Sequence, residues 1–356
     1  MTETITTTDL STTIRQQSFR QPWPVAAYGR LKSRPEDFFV EEILGFEPGG
    51  SGEHLCLLVE KRGRNTQDVA KDIAGYAKQP LRNVGFSGLK DKTAISRQWF
   101  SIPATPSAAL DWAALASRGV TVLCTKRHGR KLRRGSHREN RFQLRIADVR
   151  GGRSAIIENI EQVQRRGFAN YFGEQRFGRE RLNVIRGIDM LRGNVTIRDR
   201  FLRKLLLSAV RSWLFNVHLD LRIGQDRWLE VAAGRYYQLD GSQSFFLSRD
   251  VSDLPPRLAL ADIHPTGPLW GRLKKGNIPP VVNEERAELS FYDDLLPLLE
   301  DKGLEFQRRA LRIVPRQLQW TLDKNCLSLA FILPRGAYAT SFVAALLHSE
   351  QARSDS

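Results

Sequence analysis

Asn83–Pro103, NVGFSGLKDKTAISRQWFSIP, is the stretch that decides how this chain is read. Val84 and Phe86 on one side, and Ile95, Arg97 and Trp99 on the other, recur at period two, the alternation of a pleated strand. Gly85 and Gly88 punctuate the run. The spacing predicts a hairpin whose tip carries Leu89-Lys90-Asp91-Lys92, one carboxylate between two ammonium groups. Positive charge nearby favours the ionised acid, so Asp91 is expected to stay a carboxylate over a wide pH range. Such a group suits a nucleophile or a general base, and the same tip draws a polyanion. Aspartate and lysine are also ordinary solvated turn residues. Spacing alone therefore leaves the role of Asp91 open.

Upstream of this stretch, Pro35 biases Arg34 away from the helical region and marks the start of a strand that runs through Phe39-Val40 to Phe46. Gly49, Gly50 and Gly52 make a turn, and Leu55–Val59 reads as the return strand. Gly50-Ser51-Gly52 is not a dinucleotide loop, because Leu55 takes the third glycine position and no helix follows. Thr66 is placed to cap a helix running to about Lys78, with Val69, Ile73, Tyr76 and Ala77 along one face.

Downstream, Val120–Lys126 reads as a strand and leads into KRHGRKLRRGSHRENR, residues 126–141. This run holds eight Lys/Arg against one Glu. Like charges this dense repel unless something neutralises them, so Lys126, Arg127, Arg130, Lys131, Arg133, Arg134 and Arg138 are read as contacts to an RNA backbone rather than as a merely solvated face. Phe142, Leu144 and Ile146 alternate as a core strand. Ser154 opens an amphipathic helix over Ile156, Ile157, Ile160 and Val163, ending before Gly167.

From there to about Arg309 the pattern is helix and irregular loop, including a long helical run from Asp199 to Arg222 through Phe201, Leu205, Ala209 and Trp213. Strands return at Ala310–Val314, Leu318–Leu322 and Leu327–Leu333, and Thr340 begins a short helix. A β-rich body, a helical middle and a β-rich return suggest an insertion, with one sheet built from both ends of the chain.

Bulk properties narrow the partner. The chain has 356 residues, of which 41% are hydrophobic, enough for one large packed domain or two ordinary ones. Lys+Arg number 55 and Asp+Glu 39, a net charge of +16, which points to a polyanion. No run of eighteen apolar residues exists, and the polar, threonine-rich start is not a secretory leader, so no membrane role is expected. Three cysteines far apart, with no CxxC pair and no HExxH, imply reduced thiols in a cytoplasmic protein without a structural metal. Nucleic acid is the expected partner.

The GLKDK turn followed by TAISRQWFS resembles the signature around the catalytic aspartate of the TruD family of tRNA pseudouridine synthases. Four further blocks resemble the same family in its order: Lys32–Phe38, Asn140–Phe142, Asn170–Gly178 and Leu333–Thr340. Together the blocks cover the chain from about residue 30 to residue 347.

The resemblance implies an α+β pseudouridine-synthase fold, a mixed and largely antiparallel sheet with helices, interrupted by a helix-rich insertion. The corresponding boundaries are a flexible 1–22, a catalytic domain at 23–166 and 310–348, an insertion at 167–309 and a flexible 349–356. It implies Asp91 as the catalytic carboxylate, Lys32 as the basic residue beside it, and Phe38, Asn140, Phe142 and Tyr338 around the target base. Tyr338 stands where the family commonly has Phe, so its hydroxyl needs a partner. The Asn170–Gly178 block is read as structural rather than as an RNA contact.

The resemblance further implies uridine-13 in the D arm of tRNA as the target. Pseudouridine formation involves no net redox change and no group donor, so no cofactor is expected; no protein partner is implied, and a monomer is the default expectation. Whether Asp91 attacks base or sugar is open at this level. So are two other classes: an RNA-binding protein without activity, and an RNA-modifying enzyme that uses a donor, such as a methyltransferase.

Overall fold

Period-two sequence becomes sheet. The computed structural model describes residues 7–104, 110–273, 276 and 278–351. It divides into two compact units, each described by itself. One is built from residues 26–158, 315–336 and the chain from 347 onward; the other from the chain up to 25, 159–314 and 337–346.

The first unit holds a ten-stranded sheet. Its strands in chain order are β1 (Tyr28–Leu31), β2 (Phe38–Leu44), β3 (His54–Arg62), β4 (Gly85–Phe86), β5 (Ile95–Pro103), β6 (Val120–His128), β7 (His137–Arg150), β8 (Arg316–Asp323), β9 (Cys326–Pro334) and β10 (His348–Gln351). They lie in the order β8-β9-β7-β2-β5-β3-β6, with β1 also against β7, β10 against β1 and β4 against β5. The β2/β5 and β1/β10 pairs are parallel and the others antiparallel, so the sheet is mixed and largely antiparallel. With its helices the fold is α+β.

One face of the sheet changes character along its length, and this sets up the site. Leu55, Leu57 and Val59 of β3 and Phe100 and Ile102 of β5 pack under Val69, Ala70 and Ile73 of the helix Thr66–Tyr76. Continuing at period two along the same strands gives Lys61 on β3 and Gln98 and Ser96 on β5, all buried. On β2 the buried series Phe38, Val40 ends in Glu42, and on β7 the series Ile146, Leu144, Phe142 ends in Asn140. Glu42 pairs directly with Asn140, Val40 with both Phe142 and Ser96, and Ser96 with Lys61. An apolar face thus turns polar across four adjacent strands. The loop between β4 and β5, which carries Asp91, bonds to this polar end through Gln98 and Lys61.

The second unit is helix-rich. Its long helix Arg200–Gly224 starts at Asp199, whose carboxylate accepts from the Phe201 and Leu202 amides. Ala209, Val210, Trp213 and Leu214 pack with Val184, Ile188 and Leu191 of the helix Leu182–Leu191. Gly187 allows that approach: a Cβ there would lie 2.6 Å from Val210 Cγ2. Phe201, expected in the apolar face, is instead 67% exposed, and the buried stripe begins at Leu206.

Three sequence expectations are corrected. The N-terminal segment does not fray throughout: Thr7–Gln16 is helical, and Leu10 and Ile14, one turn apart, are buried in the core of the helix-rich unit. Burying two such side chains contributes roughly 1.5–3 kcal/mol each, enough to hold a short helix against tertiary structure. The C-terminus adds β10, parallel to β1; residues 1–6 and 352–356 lie outside the described ones.

The helix-rich unit also contains a four-stranded sheet formed by Tyr236–Leu239, Phe245–Leu247, Ile263–Leu269 and Gln307–Ala310. Pro265 and Pro268 hid its central strand. That strand pairs by its first half with Tyr236–Leu239 and by its second half with Gln307–Ala310, so Pro268 is flanked by a strand on one side only.

The compact units meet at 25/26, 158/159, 314/315, 336/337 and 346/347. Near one of them, Asn159 ties the helix Arg153–Arg166 to the Pro24 and Leu346 carbonyls.

Candidate active site

Asp91 sits on the loop between β4 and β5. The predicted hairpin is real but its first strand is two residues, Gly85 and Phe86, paired with Ser101 and Phe100. The loop holds its form through buried side chains. Asn65, not Thr66, caps the helix Thr66–Tyr76 by accepting from the Asp68 amide, which frees Thr66 for the loop. Thr66 Oγ1 accepts from the Lys90 amide (2.8 Å) and donates to Gln98 Oε1 (3.0 Å), and Gln98 Nε2 donates to the Gly88 carbonyl (2.5 Å).

The Asp91 carboxylate is held at both oxygens. Oδ2 takes the Lys32 ammonium, while Oδ1 accepts from the Thr93 amide and hydroxyl, each at 3.1 Å. Its main-chain carbonyl accepts from Lys61 Nζ at 2.8 Å, and Lys61 also donates to the Arg64 carbonyl at 2.6 Å. Partial burial pushes the Asp91 carboxyl up. The hydrogen bond and charge of Lys32, with the Thr93 donors, outweigh this and hold it at about 2.

The expected ionisation follows, but from different partners. The flanking Lys90 and Lys92 are not the ammonium groups on the carboxylate; Lys32 is, and Lys61 lies on the same residue's main chain. Burial draws the Lys61 ammonium down to about 8, against the charge of Asp91.

Lys32 brings the aromatic residues with it. Its backbone is left-handed (φ 62°), a strained conformation for a residue with a Cβ, and its ammonium lies 4.5 Å from the centre of the Phe38 ring. Phe38 meets Phe142 edge-on at 6.1 Å, and Phe142 stacks on Phe331 at 5.3 Å.

Asn140 is buried, and its Oδ1 accepts from Lys90 Nζ at 2.5 Å. Lys90 in turn lies 3.4 Å from Glu42 Oε2, whose side chain is wholly buried. Burial pushes the Glu42 carboxyl up and the Lys90 ammonium down, each partly offset by the other's charge. Lys32, Phe38, Asp91, Asn140 and Phe142 are therefore linked through contacts within one unit.

Tyr338 belongs to the helix-rich unit. It caps the helix Ala339–Ala344, meets Phe172 edge-on at 6.1 Å and packs against Gly173. Phe172 is also covered by Arg309, whose guanidinium is 4.0 Å from the ring centre. Asn170, Tyr171, Phe172 and Phe177 are all buried.

Of the basic segment, Lys126, Arg127, Arg130, Arg133, Arg134 and Arg138 are exposed and Lys131 is half-buried against the Arg82 carbonyl. Among the described residues none of these seven pairs with a carboxylate, whereas Arg141 pairs with Glu41 at 3.1 Å. Leu132 anchors the segment: its side chain is buried and its amide donates to Ser101 Oγ at 2.9 Å. Arg134 lies over the Phe86 ring at 4.7 Å.

Sequence reading missed Glu42, Lys61, Thr66 and Gln98 as site residues. A signal was present for three of them: each is a polar residue in phase with the apolar series of its own strand.

A family model described as tRNA pseudouridine synthase D (TruD) matches residues 25–197 and 191–345. The chain is similar to the tRNA pseudouridine synthase D of Pseudoalteromonas atlantica, 39% identical over 328 residues that cover 90% of this chain and 93% of that protein. It is also similar to those of Ectopseudomonas mendocina (40% over 321 residues, 89% and 90% covered) and Xanthomonas oryzae pv. oryzae (41% over 329 residues, 87% and 89%). Among solved structures, that of the putative tRNA pseudouridine synthase D (TruD) from Methanosarcina mazei superposes with a TM-score of 0.68 at 19% identity, covering 94% of this chain and 97% of that one.

Proposed function

The chain belongs to the tRNA pseudouridine synthase D (TruD) family, and on that premise we propose that it converts uridine-13 in the D arm of tRNA to pseudouridine, with Asp91 as the catalytic carboxylate. The observation that carries this reading is the Asp91 carboxylate itself. It is ionised, one oxygen rests on the Lys32 ammonium and the other on Thr93, and it lies beside a buried polar end of the sheet.

The reaction breaks the bond from N1 of uracil to C1′ of ribose and makes one from C5 to C1′. A proton leaves C5 and one is taken up at N1. Nothing is oxidised and no group is donated, so the chemistry balances without a cofactor. Asp91 serves as the nucleophile or proton acceptor at the reacting nucleotide, and Lys32 keeps it charged. Reaching the base requires taking it out of the RNA stack, which costs a few kcal/mol. Phe38, Phe142, Asn140 and Tyr338 are assigned to offset that cost by stacking and edge hydrogen bonds.

The seven exposed or half-exposed cations between Lys126 and Arg138 are assigned to tRNA phosphates, acting by counterion release. Residues 167–309 correspond in this reading to the family's insertion. The enzyme is taken to work as a cytoplasmic monomer. Among the described residues no helix is long and apolar enough to cross a membrane.

The test is to incubate unmodified tRNA with the protein alone and map pseudouridine by a product-specific reaction. Pseudouridine at position 13 without any added donor is expected. Product elsewhere moves the target, RNA binding without product returns the protein to the binding class, and dependence on a donor makes it a different enzyme.

A further inference from the structure

Lys90 and Glu42 form an ion pair that the proposed chemistry does not use, in a place where burial opposes both charges. The Glu42 side chain is wholly buried and that of Lys90 is 8% exposed. Their separation of 3.4 Å is long for a charged hydrogen bond. Removing two charges from water for so loose a contact is unfavourable, and such a pair is weak evidence for stability. Its shorter contact points elsewhere, from Lys90 Nζ to Asn140 Oδ1 at 2.5 Å. Asn140 and Glu42 are direct cross-strand partners, so the lysine sits over both.

The chemistry of that contact is one-sided. An ammonium has three donors and no acceptor, so Asn140 must turn its carbonyl oxygen to Lys90 and its NH2 away. Among the described residues nothing accepts from that Nδ2. A free asparagine could rotate to suit either a donor or an acceptor. One pinned by a lysine can only donate. Uracil presents a carbonyl oxygen at C4, which accepts; cytosine presents an amino group there, which does not.

We infer that Lys90, held by Glu42, is a specificity-determining residue: it fixes the Asn140 amide as a donor, so the site takes uracil and rejects cytosine. Lys90 acts through Asn140 and is a positioning residue. The inference rests on the reading that Asn140 meets the target base.

Binding is measured in an Asp91→Asn background, which prevents turnover, using a substrate tRNA and the same tRNA with cytidine at the reacting position. The readout is the ratio of the two dissociation constants, from which general effects on RNA affinity cancel. A buried donor left facing another donor is costly, so uridine should be preferred by at least ~10-fold.

Lys90→Arg, which still donates, should keep the ratio. Lys90→Met with Glu42→Gln removes both charges together, leaves neither orphaned, and should bring the ratio to within about threefold of unity, as expected for an amide free to rotate. Asn140→Asp should move the ratio toward cytidine, since its outward oxygen accepts. Near-ultraviolet circular dichroism checks that each variant is folded.

Full uridine preference in the folded Lys90→Met/Glu42→Gln variant, with a shifted ratio in Asn140→Asp, overturns the role of Lys90 while leaving Asn140 on the base. An unchanged ratio in Asn140→Asp overturns both the inference and the placement of Asn140. If the double variant does not fold, Asn140→Asp and Lys90→Arg decide alone. Loss of preference in Lys90→Arg also counts against the inference.

Discussion

Each unit of this molecule contains a buried ion pair, and the two are made differently. In the helix-rich unit, Arg308 Nη1 donates to Glu285 Oε2 at 2.9 Å and Nη2 donates to Oε1. Nε donates to Thr266 Oγ1 (2.7 Å), Nη2 donates also to the Thr266 carbonyl (3.0 Å), and the guanidinium carbon lies 4.4 Å from the Tyr236 ring centre. This is a bidentate pair with every guanidinium nitrogen and both carboxylate oxygens engaged, the geometry that repays desolvation best. In the sheet unit, Lys90 divides itself between Glu42, at 3.4 Å, and Asn140, at 2.5 Å.

A pair that serves the fold saturates itself. A pair whose lysine makes its shorter contact to a third residue, next to the carboxylate proposed for catalysis, is directed at something else.

The first way to sharpen this contrast is to remove the reacting group. Asp91→Asn keeps size and polarity while losing charge and nucleophilicity. It is expected to fold and bind tRNA while turnover falls at least ~10³-fold. Single-turnover assays with saturating enzyme measure this, and a variant retaining a tenth or more of the rate would remove Asp91 from the mechanism.

The second way breaks each pair from its acidic side. Glu285→Gln strands an arginine that cannot shed its proton, so a loss of about 3–5 kcal/mol is expected in urea unfolding. Glu42→Gln strands a lysine whose proton is already weakly held, so it can neutralise, and roughly 1–2 kcal/mol is expected. Equal losses in the two variants would erase the distinction between the two pairs.

Lys61 offers a pH test. Its folded pKa is about 8, below its ordinary 10.5, so between these values the unfolded chain binds more protons than the folded one. Stability should therefore rise with pH across that interval. Relative to Lys61→Met, the wild-type chain should gain on the order of 3 kcal/mol between pH 8 and pH 10.5. Parallel stability curves for the two proteins would show that Lys61 is not the buried ammonium described.

The smallest effect is expected from the basic segment. Changing Arg133 and Arg134 to Gln should weaken binding to cognate and unrelated RNA alike. The slope of log affinity against log salt should fall by roughly 0.7–0.9 per lost contact, with turnover at saturating tRNA nearly intact. An unchanged slope returns these arginines to solvent, and a loss of saturated turnover moves them to the reacting centre.

The sequence by itself determined a good deal. Period-two alternation is a consequence of backbone geometry and survives without tertiary information, so Val120–Lys126, Phe142–Ile146 and Leu327–Leu333 were legible as strands. The five ordered blocks determined the family. Even the ionised state expected for Asp91 was correct, though for reasons the chain order could not supply.

What tertiary structure decided is which charges meet. Coulomb energy follows distance in space. Lys32, 59 residues from Asp91, lies on its carboxylate, while the neighbouring Lys90 turns to Asn140, 50 residues away. The polar ends of β2, β3, β5 and β7 read singly as strand ends, and only their register makes one polar surface of them. The N-terminal helix was illegible for a related reason: Leu10 and Ile14 are too few to nucleate a helix alone, and the core they enter is assembled from residues more than 150 positions away.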